Sequence, residues 1–264
     1  MARIGFEVVN CFAAQDFAGN PICVIRDPVE EGLMGRIARQ MGCTLTVFPT
    51  RIGPGRFTTR MFTVSREVPF GGSGALAAVW AMGEGRWTLS TAGGDVETEY
   101  GGGRAWTTQP VPGIERIDDD EVADAIGLST VRGLFLGSAS GNRHVVAVTD
   151  DDPADFRPRA DLLGRIARRY GGATVGAVRR IGADEMHGRI FTPAHGLFED
   201  PAVGGGAPTL ARIMRDHFDG AEQCLIRQGE VLGRPSRMEV VLRPGGVKVG
   251  GGVRKAAEGV LLLD

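Results

Sequence analysis

The spacing of apolar residues along the chain predicts four longer helices. Apolar side chains recur at helical intervals over residues 30–41, where Gly42 stops the pattern, and again over residues 159–170. Residues 75–82 are apolar on every side, which indicates a helix that is buried all round. A fourth helix is expected to begin at Pro208, because proline suits the first turn of a helix.

Shorter runs of alternating or β-branched apolar residues predict strands around these helices. The predicted strands cover residues 3–12, 22–25, 44–48, 56–63, 145–148 and 185–192, with further strands in 86–109 and 222–264. Glycine clusters such as Gly93-Gly94 and Gly250–Gly252 are interpreted as turns between strands. The 41 glycines of the chain therefore indicate a strand-rich protein with many tight turns.

One strand sequence occurs twice, each time ahead of a glycine-rich turn and a helix. Arg60–Thr63 and Arg189–Thr192 share the pattern R-x-F-T, and they precede the glycine turns at 71–74 and 204–206. Because the surrounding elements also follow in the same order, the repetition predicts an internal duplication. The expected fold is α+β, with two pseudo-symmetric lobes that each wrap strands around a central helix.

We place the N-terminal lobe at residues 1–118 and the C-terminal lobe at residues 119–264, and leave open whether the last strand returns to the N-terminal lobe.

The active site would lie in the cleft between the lobes. Glycine lets a backbone approach a ligand closely, and the start of a helix offers free N–H groups to an anion. Two facing glycine turns would therefore hold a small carboxylate; the alternative is that each cluster only ends a strand. The substrate-binding candidates in these turns are Gly72, Ser73, Gly74, Gly204, Gly205 and Gly206.

Charge and cysteine content argue against several classes of function. The chain has 30 Lys and Arg against 32 Asp and Glu and no basic run, which speaks against a nucleic-acid or membrane partner. Its four cysteines lack C-x-x-C spacing and are expected to be buried free thiols, without a zinc site, in a reducing compartment. The charged residues at positions 1–7 stand where a signal peptide needs an apolar run, so we expect a cytoplasmic protein.

Four ordered motifs resemble those of the phenazine-biosynthesis PhzF-like family. They are F-x-x-x-x-F-x-G-N-P at 12–21, R-x-F-T…P-F-G-G at 60–72, R-x-F-T-P…E-D-P-A-x-G at 189–204 and Q-G…G-R-P-S at 228–236. The resemblance implies the fold of diaminopimelate epimerase, in which each lobe is a strand barrel around a helix. It also implies cofactor-free proton transfer on a small carboxylate substrate, usually by a homodimer. Asn20, in the first motif, is a further substrate-binding candidate.

The family's acid–base residues are replaced in this sequence. The family's glutamate, in a pattern like S-E-T-x-F, corresponds to Leu45, which cannot carry a proton. The family's histidine corresponds to Ser73, and the serine of the second turn corresponds to Gly205. The paired cysteines of epimerases with this fold correspond to Gly71 and Val203, which excludes a two-thiol racemase. We expect Leu45 to form apolar contact surface in the cleft and Ser73 to donate a hydrogen bond to substrate.

Three residues near the second glycine turn are the candidates for acid–base catalysis. Asp200 and Glu199 are adjacent carboxyl groups, and one of them could have its pKa raised toward neutral by burial in the cleft. His195 is the histidine closest to this turn in the sequence, and an imidazole titrates near neutral pH without help. The alternatives are that the carboxyl groups cap a helix or pair with an arginine, and that His195 is an exposed loop residue. No metal ligands and no cofactor are predicted.

These observations favour a cofactor-free isomerase that moves a proton, and with it a double bond, in a small carboxylic acid. The resemblance points to cyclic, amino-acid-derived substrates and to antibiotic or other specialised-metabolite biosynthesis. Two alternatives remain open. One is a catalytically inactive protein that binds small molecules in the same cleft, and the other is a lyase that shares the proton-abstraction step.

Overall fold

The computed structural model describes residues 2–91 and 94–263, in which the chain forms 17 strands and five α-helices. Of the turn predicted at Gly93-Gly94, Gly93 lies outside the described residues. The helices are α1 (Glu31–Met41), α2 (Gly72–Met82), α3 (Glu121–Ile126), α4 (Ala160–Arg169) and α5 (Ala207–His217). The four longer helices confirm the prediction made from the spacing of apolar residues. None of the helices in the described part of the chain is long and apolar enough to span a membrane.

Two consecutive sets of strands follow one another along the chain. The first set is β1 (Ala2–Cys11), β2 (Asn20–Val24), β3 (Leu45–Gly53), β4 (Arg56–Phe62), β5 (Glu67–Val68), β6 (Gly85–Thr91), β7 (Gly94–Gly101) and β8 (Arg104–Gln109). The second set is β9 (Gly113–Arg116), β10 (Gly133–Ala139), β11 (Asn142–Thr149), β12 (Thr174–Arg180), β13 (Glu185–Phe191), β14 (Glu199–Asp200), β15 (Gln223–Gln228), β16 (Ser236–Arg243) and β17 (Gly246–Leu263).

The strands form two rings that share the last strand. The first ring is a closed barrel of order β1-β2-β3-β4-β6-β7-β8-β17, because β17 pairs with both β8 and β1. The second ring runs β9-β10-β11-β12-β13-β15-β16-β17, and it is open between β9 and β17, which do not pair in the described part of the chain. The start of β17 pairs with β16, and its residues 253–263 pair with β1.

The two rings repeat the same order of strand pairings. In the first ring β1–β2 is antiparallel, β2–β3 parallel, β3–β4 antiparallel and β4–β6 parallel. In the second ring β10–β11, β11–β12, β12–β13 and β13–β15 follow the same alternation. Helices α1 and α4 make the first parallel connection in each ring, and α2 and α5 make the second. The internal duplication predicted from the R-x-F-T repeat is therefore confirmed.

A helix fills the centre of each ring. Nine of the 11 residues of α2 are buried, and the helix packs against every strand of the first ring. The helix can be surrounded in this way because its residues are apolar or small on all sides. In the second ring α5 packs against β9, β10, β16 and β17. The side chains inside both rings form one continuous apolar core, whereas α1 covers the outside of the first ring and α3 and α4 cover the second.

The glycines at positions 250–252 lie inside β17, so the turn predicted there is wrong. A Cβ on Gly250 would lie 2.3 Å from ring atoms of Trp106. A Cβ on Gly252 would lie 2.8 Å from the carbonyl oxygen of Ala13. Glycine is needed at these positions because neighbouring groups already occupy the space of a side chain. Strand β17 continues through them without a turn.

Candidate active site

A cleft lies where the two glycine turns meet, between the rings. It holds about 550 Å³ of empty space, counting its open mouth and the solvent there. Residues from both rings line it. They are Thr44, Leu45, Thr63, Val68, Phe70, Gly71, Gly72, Ser73, Asn142, His144, Thr174, Thr192, His195, Leu197, Asp200, Val203, Gly204 and Gly205.

The two glycine turns touch backbone to backbone at the base of the cleft. A Cβ on Gly72 would lie 2.4 Å from the carbonyl carbon of Gly204 and 2.6 Å from the nitrogen of Gly205. Only glycine allows this approach, because any side chain at position 72 would force the turns apart. The first N–H groups of any helix have no intrahelical acceptor, and helix α2 begins at this contact without a side-chain cap at Gly71. The contact therefore places N–H groups that lack an intrahelical acceptor beside the cleft.

Asp200 is a partly buried carboxyl group on the cleft wall. Its Oδ1 accepts hydrogen bonds from Nδ2 of Asn20 at 2.8 Å and from the N–H of Ala202 at 2.9 Å. Burial raises the pKa of Asp200 from its ordinary 3.8 to about 6; these two hydrogen bonds oppose the rise, and the Glu199 charge adds to it. Asp200 is therefore ionised at neutral pH, yet it is a stronger base than an exposed aspartate.

Asn20 connects the two glycine turns from below the cleft. Its buried Nδ2 contacts the carboxyl of Asp200, the carbonyl of Ala202 at 2.9 Å and Oγ of Ser73 at 3.3 Å. The equivalent residue of the second ring, Asn142, donates from Nδ2 to the carbonyl of Phe70 at 3.1 Å. Each ring thus uses an asparagine to hold the glycine turn of the other, and Asn20 also orients the Asp200 carboxyl.

Glu199 forms a buried ion pair behind the cleft. Arg189 donates from Nε and Nη2 to the two carboxyl oxygens of Glu199 at 3.0 and 2.7 Å, and both side chains are less than 10 % exposed. The first ring contains the same pair at its surface, where Arg60 binds both oxygens of Glu67. The arginine of each R-x-F-T strand therefore anchors the segment that leads into its glycine turn. This pairing favours the structural alternative for Glu199 over a catalytic role.

Two histidines line the cleft beside Asp200. Nδ1 of His144 lies 2.9 Å from Oγ1 of Thr174, whereas its buried Nε2 has no hydrogen-bond partner among the described residues. Burial lowers the pKa of His144 to about 4, the charge of His195 lowers it further, and a hydrogen bond to the backbone of Gly205 opposes the fall. Burial also lowers the pKa of His195 to about 4, with a contribution from the positive charge of Arg66. Both imidazoles are therefore neutral near pH 7.

The polar groups of the cleft are distributed unequally between the equivalent positions of the two rings. His144 pairs with Thr174 across β11 and β12, where the first ring pairs Ile22 with Leu45 across β2 and β3. Asp200 lies opposite Ile190 in β13, where the first ring has Val68 opposite Met61. These matches show that the second ring supplies a carboxyl, an imidazole and a hydroxyl where the first ring supplies apolar side chains.

Comparison with known proteins places this site in a family. Residues 9–257 match the family described as phenazine biosynthesis-like protein, PhzC-PhzF. A trans-2,3-dihydro-3-hydroxyanthranilate isomerase from Pseudomonas aeruginosa is 30% identical over 88% of each chain. An uncharacterized isomerase from Deinococcus radiodurans is 30% identical over 97% of this chain and 94% of its own. The chain belongs to the PhzF family.

Solved structures support the same conclusion for the fold. The crystal structure of a PhzF-family phenazine biosynthesis protein from Bacillus anthracis superposes with a TM-score of 0.85 at 21% identity, and the match covers 100% of both chains. The expected fold class, two barrels that each surround a helix as in diaminopimelate epimerase, is thereby confirmed. Several relatives of the chain are named isomerases, and the protein is an isomerase of the PhzF family.

The structure brings most of the predicted site residues of this PhzF-family protein to one place. Those that line the cleft are Leu45, Gly72, Ser73, His195, Asp200, Gly204 and Gly205. Four others do not line it: Asn20, Gly74, Glu199 and Gly206. Gly74 packs against the sulfur of Met61 and against Leu45, and Gly206 lies beside the ring of His144. Their places in the structure are therefore supporting ones beneath the cleft.

His144 is the residue of this site that the sequence did not reveal. It follows Gly141-Asn142-Arg143, which repeats the earlier Gly19-Asn20-Pro21, and so it takes the position of Ile22. A histidine at a position where the first repeat has a strand isoleucine is the signal that could have identified it. That comparison requires the strand register of both repeats, which the structure supplies.

Proposed function

We propose that this protein catalyses a one-sided proton shift that moves a double bond in a small carboxylic acid, without a cofactor. The observation that carries the proposal is the asymmetry of the cleft, in which Asp200 and His144 lie on the second-ring wall and apolar residues occupy the equivalent first-ring positions. A racemase that inverts a carbon needs an acid–base group on each side of it. A shift along one face of a conjugated substrate needs such groups on one side only.

Asp200 is the proposed base. The pKa of Asp200 near 6 lets the carboxylate accept a proton from carbon and still release it again at neutral pH. Both hydrogen bonds to this carboxyl go to Oδ1, so Oδ2 is the oxygen left for the substrate. Asn20 and Ala202 hold the group in place and thereby fix the direction in which Oδ2 acts.

His144 is the proposed hydrogen-bond donor to charge that develops on the substrate. In the tautomer in which Thr174 donates to Nδ1, Nε2 of His144 carries the proton, and no side-chain or backbone partner is assigned to this nitrogen in the described part of the chain. A neutral imidazole can stabilise an oxyanion by a hydrogen bond without giving up its proton. The free N–H groups at the start of α2 would hold the substrate carboxylate at the same time.

The similarity to trans-2,3-dihydro-3-hydroxyanthranilate isomerase supports a cyclic, amino-acid-derived acid and a role in specialised metabolism. A cytoplasmic homodimer remains our prediction. A lyase is the second candidate, because proton removal by Asp200 could also start the elimination of a leaving group. Product analysis distinguishes the two reactions, since an isomerase conserves the mass of its substrate.

Solvent exchange tests the proposed function. The protein, dialysed against chelator, is incubated in deuterium oxide with trans-2,3-dihydro-3-hydroxyanthranilate and a panel of cyclic unsaturated amino acids. We expect deuterium at the reacting carbon, and a loss of about two to four powers of ten in rate for Asp200→Asn. Asp150→Asn, which changes an exposed carboxyl paired with Arg132, is the control and should keep full activity. Unchanged turnover in Asp200→Asn, or ligand binding without any exchange, would overturn the proposal, and the second result would identify a binding protein.

A further inference from the structure

The cleft continues into a second cavity on the other side of His195. This cavity holds about 440 Å³ of empty space, counting its mouth, and it shares Asn142, Thr174 and His195 with the cleft. A molecule bound against Asp200 could therefore extend past His195 into the second cavity without leaving the protein surface.

Two arginines from different rings line the second cavity. Arg66 precedes the first glycine turn, and Arg143 lies in β11, between the cleft residues Asn142 and His144. Both guanidinium groups lie over the turn at Gly171–Gly172. The position of a Cβ on Gly171 is 3.6 Å from Nη1 of Arg143, and that on Gly172 is 3.6 Å from Nη2 of Arg66.

These two positive charges are not neutralised by the protein. Among the described residues, neither Arg66 nor Arg143 forms an ion pair with a carboxylate. The one acidic residue on the cavity wall is Glu67, and both of its oxygens are bound by Arg60. Two guanidinium groups over the same short turn repel each other unless an anion lies between them.

The electrostatics of the adjoining cleft favour a cation near a carboxylate substrate. With its histidines neutral, the cleft lining contains one formal charge among the described residues, the carboxylate of Asp200. A carboxylate substrate would be repelled by Asp200 in this poorly solvated space. The positive charge of Arg66 reaches the cleft, because it contributes to lowering the pKa of His195. An anionic group held by the arginines would therefore offset the repulsion that the substrate meets at Asp200.

We propose that the substrate is a dianion whose second anionic group, a carboxylate or a phosphate, binds between Arg66 and Arg143 while its first carboxylate meets the glycine turns. This inference rests on the proposed function for the identity of the cleft as the substrate site. The planar guanidinium groups suit either anion, since each can donate two parallel hydrogen bonds. The arginines then select dianions over monoanions.

Calorimetric titration at low ionic strength tests this selection without requiring turnover. The probes are glutarate, 3-phosphonopropionate and the monoanion butyrate. Glutarate and 3-phosphonopropionate separate a carboxylate-specific from a phosphate-type subsite. We expect at least one dianion to bind about tenfold or more tightly than butyrate, and each of Arg66→Gln and Arg143→Gln to remove about tenfold of that affinity. Arg86→Gln, at an exposed arginine that lines neither cavity, is the matched control and should bind like the wild type.

Equal affinity for butyrate and both dianions, or unchanged dianion affinity in Arg66→Gln and Arg143→Gln, would overturn the inference. Asp200→Asn keeps the failure of this inference separate from that of the proposed function. This variant should bind the preferred dianion at least as tightly as the wild type, because a like charge has been removed. Arginine-dependent dianion binding without any proton exchange would leave the subsite standing and remove the isomerase mechanism.

Discussion

Asp200 combines a partly buried position with hydrogen bonds that, in the described part of the chain, go to Oδ1 and leave Oδ2 without one. The carboxyl is needed in its charged form to accept a proton, and the protein must keep that charge in a poorly solvated place. Active-site groups of this kind commonly reduce stability. Asp200 is therefore expected to weaken the folded state at the pH where it is functional.

The first prediction concerns the stability of Asp200→Asn. The folded carboxyl titrates near pH 6 and the unfolded one near 3.8. The free energy of unfolding of the wild type should therefore fall as the pH rises from 3.8 to 6, and stay constant at higher pH. Asparagine keeps the acceptor for Asn20 and Ala202 but carries no charge. We expect the variant to be about 3 kcal/mol more stable than the wild type at pH 7.5, and the difference to close toward pH 4. Urea unfolding at both pH values measures this; a difference independent of pH would contradict it.

The second prediction is the pH dependence of catalysis. Because Asp200 must be ionised to act as a base, kcat/KM should rise about tenfold per pH unit below pH 6 and level off above it. The pKa values of His144 and His195, both about 4, predict a further fall only at much lower pH. A steady-state pH profile with the substrate found by solvent exchange measures the inflection. An inflection near pH 4 instead would contradict the raised pKa of Asp200.

At the scale of elements, the contact between the starts of the two glycine turns holds the rings in register. The third prediction is that Gly72→Ala costs about 1–3 kcal/mol and abolishes ligand binding, since its Cβ would collide with the backbone of Gly204. Gly35→Ala is the control. It lies inside α1 with only ring atoms of Phe62 at 3.9 Å, and it should stabilise the protein by about 0.5–1 kcal/mol. Thermal unfolding and calorimetric binding report both; a tolerant Gly72→Ala would show that the turns need not touch.

The helices and the duplication could be predicted from the sequence because both are recorded in local patterns. The glycines at 250–252 show where prediction from the sequence fails. Glycine in a strand that packs closely against a neighbour cannot be told from glycine in a turn until the position of Trp106 is known. The strands β10 and β12 were not singled out by the pattern. Asp200 and Leu45 were found from motifs, whereas His144 required the register of β11 on β12.

At the scale of the whole molecule, the shared strand β17 joins the stability of the two rings. The fourth prediction is that both rings unfold in one transition. All three tryptophans, at positions 80, 87 and 106, belong to the first-ring half, so their fluorescence reports that ring. The NMR signals of the His144 ring report the second. Coincident denaturant midpoints for both probes are expected; separate midpoints would mean that β17 does not couple the rings.

The pairing of β17 with β1 also determines when the protein can fold during its synthesis. Ala2 pairs with Leu263 and Cys11 with Val253, so β1 has β17, a strand that is made much later, as a barrel partner. Until then α2 lies in an open barrel with an unpaired β1 edge, which can pair with other chains. Translation at about 5–20 residues per second leaves this edge exposed for about ten seconds or more. Nascent chains of this protein are therefore expected to depend on chaperones for longer than chains whose first domain closes on its own sequence.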